Sequence, residues 1–143
     1  MSESKIEIVT AVLKAFGSHD IDGAMNHIAP DIEWHYHVGT RPVVGSDTMR
    51  KVLTKLGEHQ RDSRWRPIRW AETGNTLLIE GVEDYLNPQD HRAQVPYMGA
   101  YEFNVDNQIT AWRDYFDFEL LMKSDRGEPI EAWVQTLIDA DPA

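Results

Sequence analysis

The strongest chemical signal in the sequence is the run Trp112-Arg113-Asp114-Tyr115-Phe116-Asp117. In a strand over residues 109 to 116, alternation places Thr110, Trp112, Asp114 and Phe116 on one face and Ile109, Ala111, Arg113 and Tyr115 on the other. Asp114 then stands between two large aromatics. Loss of water there favours the neutral carboxyl and moves its pKa toward neutral pH, where it can act as a general acid or base. The structural alternative is an ordinary ion pair with Arg92 or Arg113, the second of which faces the opposite side of the strand.

Two further groups could join it. His35 and His37 lie at a strand period of two and share a face, with Trp34 and Tyr36 on the other. The reading adopted is that the histidines face a pocket, where imidazole beside Asp114 could shuttle protons or orient water. In the alternative, Trp34 and Tyr36 point inward. Glu83 and Asp84 are adjacent, so one faces in and the other out, and the sequence leaves open which. Two histidines and a carboxylate are also metal-compatible, but this pattern is weak evidence for a metal and none is expected.

These residues need elements to hold them. Ser4 and Glu7 have the spacing of a capping box, and Ile8, Val9, Val12, Leu13 and Phe16 recur at helical spacing up to Gly17. Asp20 caps a second helix with Ile21, Ala24, Met25 and Ile28 as its stripe, closed by Pro30. Residues 32 to 38 read as a strand, and Ser46 caps a third helix through Met49, Val52, Leu53 and Leu56. Strands follow over 64 to 71, 76 to 86, 92 to 103 and 109 to 116, joined by turn residues short enough for antiparallel pairing. A short helical stretch follows Asp117, and Pro129 opens a last helix with Ile130, Trp133, Val134 and Leu137 as its apolar stripe. Helices followed by a long meander predict an α+β fold with helices on one face of a curved antiparallel sheet.

Composition limits the partners. With 14 basic against 24 acidic residues and a formal charge of -10, the chain lacks the clustered cations that a phosphate backbone requires, so nucleic acid is not expected. The absence of cysteine excludes a disulfide framework and thiolate chemistry. No stretch has the length of a membrane span, and the start Met1-Ser2-Glu3-Ser4-Lys5 lacks a signal-peptide core, so a cytoplasmic protein is expected.

The run Val95-Pro96-Tyr97-Met98-Gly99-Ala100-Tyr101-Glu102-Phe103, followed by Asn107-Gln108-Ile109-Thr110-Ala111-Trp112-Arg113-Asp114-Tyr115-Phe116-Asp117, resembles the C-terminal half of SnoaL-like and limonene-epoxide-hydrolase-like proteins. These belong to the superfamily of nuclear transport factor two and ketosteroid isomerase. The opening with Asp20-Ile21-Asp22-Gly23 is similar too, so the resemblance covers nearly the whole chain. It implies a single cone-shaped α+β domain over residues 1–143, with three N-terminal helices and a C-terminal helix enclosing a pocket. It also implies a homodimer and chemistry without a cofactor.

In the epoxide hydrolases of this family one carboxylate activates water, a second protonates the epoxide, and an arginine on the second one's strand bridges them. The resemblance gives Asp114 the first place. Aligning Leu78-Ile79-Glu80-Gly81-Val82-Glu83-Asp84 without a gap puts Glu83 at the second and Gly81 at the arginine; a shift of one puts Asp84 and Val82 there. The arginine is absent either way, and the family's water-holding pair falls at His35 and His37. In ketosteroid isomerase the catalytic Asp corresponds to Tyr36 and the oxyanion-hole Asp to Gly99, so that mechanism does not carry over.

The expectation is therefore an acid–base enzyme of hydrolase, dehydratase, isomerase or cyclase type acting on an apolar, cyclic, oxygenated molecule. Its catalytic candidates are Asp114, Glu83, Asp84, His35 and His37. Tyr36, Trp70, Tyr97, Met98, Tyr101, Trp112 and Phe116 are the candidates for substrate contact. The alternatives are a non-catalytic binding module and an epoxide hydrolase with an altered site.

Overall fold

Ser4 opens the first helix with a full capping box: its hydroxyl accepts from Glu7 N–H, and the Glu7 carboxylate accepts from Ser4 N–H. The structure is a computed structural model that describes residues 3–142; Met1, Ser2 and Ala143 lie outside it. Among the described residues the order is α1 (Lys5–Gly17), α2 (Ile21–Met25), β1 (Ile28–His35), β2 (Val43–Val44), α3 (Ser46–His59), β3 (Arg66–Thr73), β4 (Thr76–Leu86), β5 (Arg92–Phe103), β6 (Ile109–Tyr115), α4 (Phe118–Asp125) and α5 (Ala132–Ile138). No helix among them is long and apolar enough to cross a membrane.

The strands form one sheet in the order β2-β1-β6-β5-β4-β3. All neighbours are antiparallel except β1 and β6, which run parallel with Trp34 opposite Trp112. This is the expected α+β cone. Its inner face carries Leu77, Ile79, Tyr101, Phe103, Ile109 and Trp112, which pack with Ile8, Val12 and Phe16 of α1 and Met49 and Leu53 of α3 in one buried cluster. A second cluster, Tyr85, Ala93, Val95 and Leu121, attaches α4 to the sheet. On the outside, Ile138 of α5 packs on Ile68 and Val82, while Trp133 remains largely exposed. Of the two C-terminal helices, α4 is therefore the one that walls the interior.

Several boundaries differ from expectation. Ile28 and Pro30 belong to β1 rather than to α2, because Ile28 pairs with Ile109 across the sheet, a contact that local periodicity does not carry. β1 ends at His35 rather than at residue 38. Gly45, at φ 91°, is the N-cap of α3, and Ser46 is its first residue. A bulge between Glu102 and Phe103 turns Ile109 inward beside Trp112, so Ile109 is buried in the core and does not share a face with Ala111 and Arg113.

Candidate active site

The inward positions of β4 are Leu77, Ile79, Gly81, Glu83 and Tyr85, and Trp112 and Asp114 share the inner face of β6. Glu83, Asp114 and Phe116 all line a cavity of about 500 Å³ between the sheet, α3 and α4. Trp34, Tyr36, Leu56, Trp65, Phe118 and Leu121 supply much of its apolar wall. Lys55, Glu58 and His59 of α3 lie along its rim.

Asp114 is 3% exposed. Burial pushes its carboxyl up from 3.8 to about 7, partly opposed by a hydrogen bond that Trp112 Nε1 donates to Asp114 Oδ1 at 2.9 Å. The carboxyl packs over bare backbone, because a methyl group on Gly99 would stand 3.1 Å from Asp114 Oδ1 and 2.9 Å from the Tyr101 hydroxyl. Glu83 is 7% exposed. Burial first, and then the charge of Asp114, pushes it from 4.5 to about 8, with no hydrogen bond among the causes to hold it down. The two groups thus differ by one donor. Trp112 steadies the anion of Asp114, and nothing comparable steadies that of Glu83.

Asp84 faces away from the cavity. Its carboxylate meets Arg92 at 2.9 Å, Arg66 at 3.4 Å and Gln94 at 2.9 Å, so the inward carboxyl of the adjacent pair is Glu83. The same contacts dispose of the ion-pair alternative for Asp114, since Arg92 is committed to Asp84 and Asp62, and Arg113 to Glu102.

The histidines do not act as a pair. His35 points out of the cavity and meets Glu33 at 2.9 Å, while Trp34 and Tyr36 line the cavity. His37 lines it too, because the chain bends after His35 as Val38 N–H donates to the Asp114 carbonyl at 2.9 Å. Its ring lies 4.8 Å from that of Phe116 and 4.9 Å from that of Phe118. Strand alternation, which put both histidines on one face, holds only while the strand continues.

Among the expected substrate contacts, Tyr36 and Phe116 reach the cavity. Tyr97, Tyr101 and Trp112 are buried on the inner face without lining it, and the Tyr101 and Trp112 rings pack tilted at 42°, 5.2 Å apart. Burial and the neighbouring Asp114 charge raise both phenols well above their ordinary range, so they stay protonated. Trp70 and Met98 are about half exposed and border a shallow depression away from the cavity, so neither contacts its contents.

Tyr97 also explains the missing arginine. A methyl group on Gly81 would stand 2.9 Å from Tyr97 Cε1 and 2.6 Å from the Arg66 carbonyl oxygen, so the aromatic ring and the edge strand occupy the space a side chain there would need. Gly81→Ala should cost about 1–3 kcal/mol by overpacking, measured by urea unfolding. An unchanged midpoint would mean that the space is open.

Residues 3–126 match the family of the limonene-1,2-epoxide hydrolase catalytic domain. The chain belongs to that family. Among solved structures it resembles an LEH-like epoxide hydrolase of M. tuberculosis, with 24% identity, a TM-score of 0.74, and 86% of this chain and 90% of that one covered. It also resembles a protein of Shewanella denitrificans OS-217 assigned as a SnoaL-like polyketide cyclase, with 13% identity, a TM-score of 0.76 and coverage of 87% and 98%. A third is a protein of Catenulispora acidiphila DSM 44928 with a ketosteroid isomerase-like fold, solved with trimethylamine, with 17% identity, a TM-score of 0.75 and coverage of 86% and 94%. At such identities the likeness is one of fold. No curated protein matches the chain.

Proposed function

We propose that this chain is a cofactor-independent acid–base enzyme that opens a C–O bond in an apolar, cyclic, oxygenated substrate, with an epoxide as the first candidate. The supporting observation is a pair of buried carboxyls, Asp114 and Glu83, facing one apolar cavity, with Arg66 and Arg92 paired to Asp84 and Arg113 to Glu102. Without a cation between them, the two like charges disfavour joint ionisation, and at neutral pH the pair holds about one proton. Glu83 keeps that proton better, because Trp112 stabilises only the Asp114 anion. Asp114 is therefore the base and Glu83 the acid.

In the reaction an Asp114 oxygen takes a proton from water, whose oxygen forms a bond to a ring carbon. The C–O bond of the substrate breaks, and Glu83 delivers its proton to the leaving oxygen. His37 and Tyr36, which line the cavity, take the role of orienting the water or the substrate oxygen in this reading. Turnover of limonene oxide and simple cyclic epoxides by the unaltered chain and by Asp114→Asn tests the assignment.

The outer face of the sheet supports pairing with a second copy. Leu78, Met98 and Tyr115 are exposed on three adjacent strands, with Arg69–Glu80 and Arg113–Glu102 ion pairs beside them. An apolar patch crossing strands and rimmed by both charges suits a self-complementary two-fold contact. Light scattering should give a dimer for the unaltered chain and a monomer for Met98→Glu; a monomer in both cases removes the proposal.

A further inference from the structure

At the rim of the cavity the end of α3 meets the end of α4 in a second polar cluster. The Asp125 carboxylate is fixed by three donors: Tyr85 OH at 2.7 Å and His59 Nε2 at 2.9 Å, both to Oδ2, and Asn87 Nδ2 at 3.1 Å to Oδ1. Burial pulls its pKa upward, but these hydrogen bonds outweigh it and hold the carboxyl below its ordinary value. An ionised carboxylate only accepts hydrogen bonds, so His59 Nε2 carries the hydrogen, and the tautomer this selects has Nδ1 as its acceptor. Nδ1 hydrogen-bonds no described residue.

Simple fastening does not account for this histidine. Tyr85 and Asn87, which are buried, already tie Asp125 to the sheet, whereas the His59 side chain is 47% exposed and lines the cavity. Lys55 stands four residues earlier on α3, on the same helical face, and lines the same cavity. Glu83 is two residues before Tyr85, so the cluster lies about one strand repeat, roughly 7 Å, along β4 from the proposed acid. Glu83, Asp114 and His59 thus line one cavity.

We propose that His59, oriented by Asp125, binds and deprotonates a phenolic or enolic hydroxyl carried by the ligand of this cavity. The inference rests on the acid–base reading of the cavity and narrows its substrate class from an apolar oxygenated ring to one bearing an acidic hydroxyl. In the step, the ligand O–H bond breaks and a bond from Nδ1 to that proton forms. The imidazolium is paired with Asp125, and the oxyanion faces the Lys55 ammonium.

The test compares 4-nitrophenol with nitrobenzene, which lacks only the hydroxyl, by calorimetric titration. The visible phenolate band of the phenol is followed at a pH below its own pKa. The unaltered chain should bind the phenol about tenfold or more tightly than nitrobenzene, as expected for a charge-assisted hydrogen bond, and should raise the phenolate band. His59→Gln should bring the affinity ratio to about one with nitrobenzene binding unchanged, and Lys55→Met should weaken the band and lower the ratio without abolishing it. Equal affinity for the two probes in the unaltered chain overturns the inference without recourse to any variant. So does a ratio that survives His59→Gln. No step of the test needs turnover, so a hydroxyl preference without epoxide opening would overturn the catalytic reading and leave the His59 subsite standing.

Discussion

Replacing Asp114 by Asn is expected to reduce epoxide opening by about 10²- to 10⁴-fold, the usual contribution of a positioned general base. The substitution changes little else. Asn keeps the size of the side chain, still accepts from Trp112 Nε1, and still packs over Gly99. Glu83→Gln should fall in the same range by removing the proton donor. The pH dependence separates the two roles. In the unaltered chain kcat/KM should rise as Asp114 ionises near about 7 and fall as Glu83 loses its proton near about 8, a narrow bell whose limbs belong to the coupled pair. Asp114→Asn should flatten the rising limb and Glu83→Gln the falling one. Activity within a few fold of the original in Asp114→Asn, on a substrate the unaltered chain turns over, would sink the mechanism. A chain that binds apolar rings and opens none would be a binding module.

The absence of the arginine bears on that bell. Where a guanidinium bridges two carboxylates it lowers both pKa values and lets both ionise together. Here the ring of Tyr97 fills the space beside Gly81, and Arg66 and Arg92 lie on the other face with Asp84. The consequence is a pair held near neutrality by burial and, at Glu83, by the charge of Asp114, with the Trp112 indole N–H favouring ionisation of Asp114 first. On the proposed acid–base reading, a pair without that cation works at a higher pH than a bridged one.

Much of this frame could be read from the sequence, because its signals are local. The edges of β4 and β5 and the start of β6 fall at the expected residues, since Asn75, Asp90 and Asn107 mark the turns, the last two at positive φ. The inward position of Asp114 follows from alternation, which works within an unbroken strand. The sequence signal stopped where a distant contact decided the outcome. Only the hydrogen bond from Val38 to the Asp114 carbonyl shows that the chain bends at residues 36 and 37, which separates His37 from His35. Glu83 and Asp84 were distinguishable only once Arg66 and Arg92 had claimed one of them. His59 and Asp125 are 66 residues apart and meet because α3 and α4 end at the same rim, a fact that no spacing rule carries.

The same buried carboxyls should make the chain less stable as pH rises. Each has a folded-state pKa above its unfolded one, from 3.8 to about 7 for Asp114 and from 4.5 to about 8 for Glu83. The folded state therefore holds these protons more tightly than the unfolded chain does. Their favourable contribution is complete below about pH 4, declines as pH rises through the folded values, and is gone above about pH 8. At about 1.4 kcal/mol per unit the loss is at most about 5 kcal/mol per carboxyl, with water entry into the cavity reducing it. Asp114→Asn and Glu83→Gln cannot ionise and escape this loss. Urea unfolding should show each variant gaining about 2–4 kcal/mol over the unaltered chain at pH 9 relative to the same comparison at pH 4. Asp62 and Asp125, whose lowered pKa values act in the opposite sense, are common to both chains and cancel in the difference, while in Asp114→Asn the release of Glu83 from the Asp114 charge adds to the gain. A variant advantage that is the same at both pH values would mean that the carboxyls are solvated. That would remove the physical basis for the acid–base assignment together with the stability effect, since one desolvation produces both.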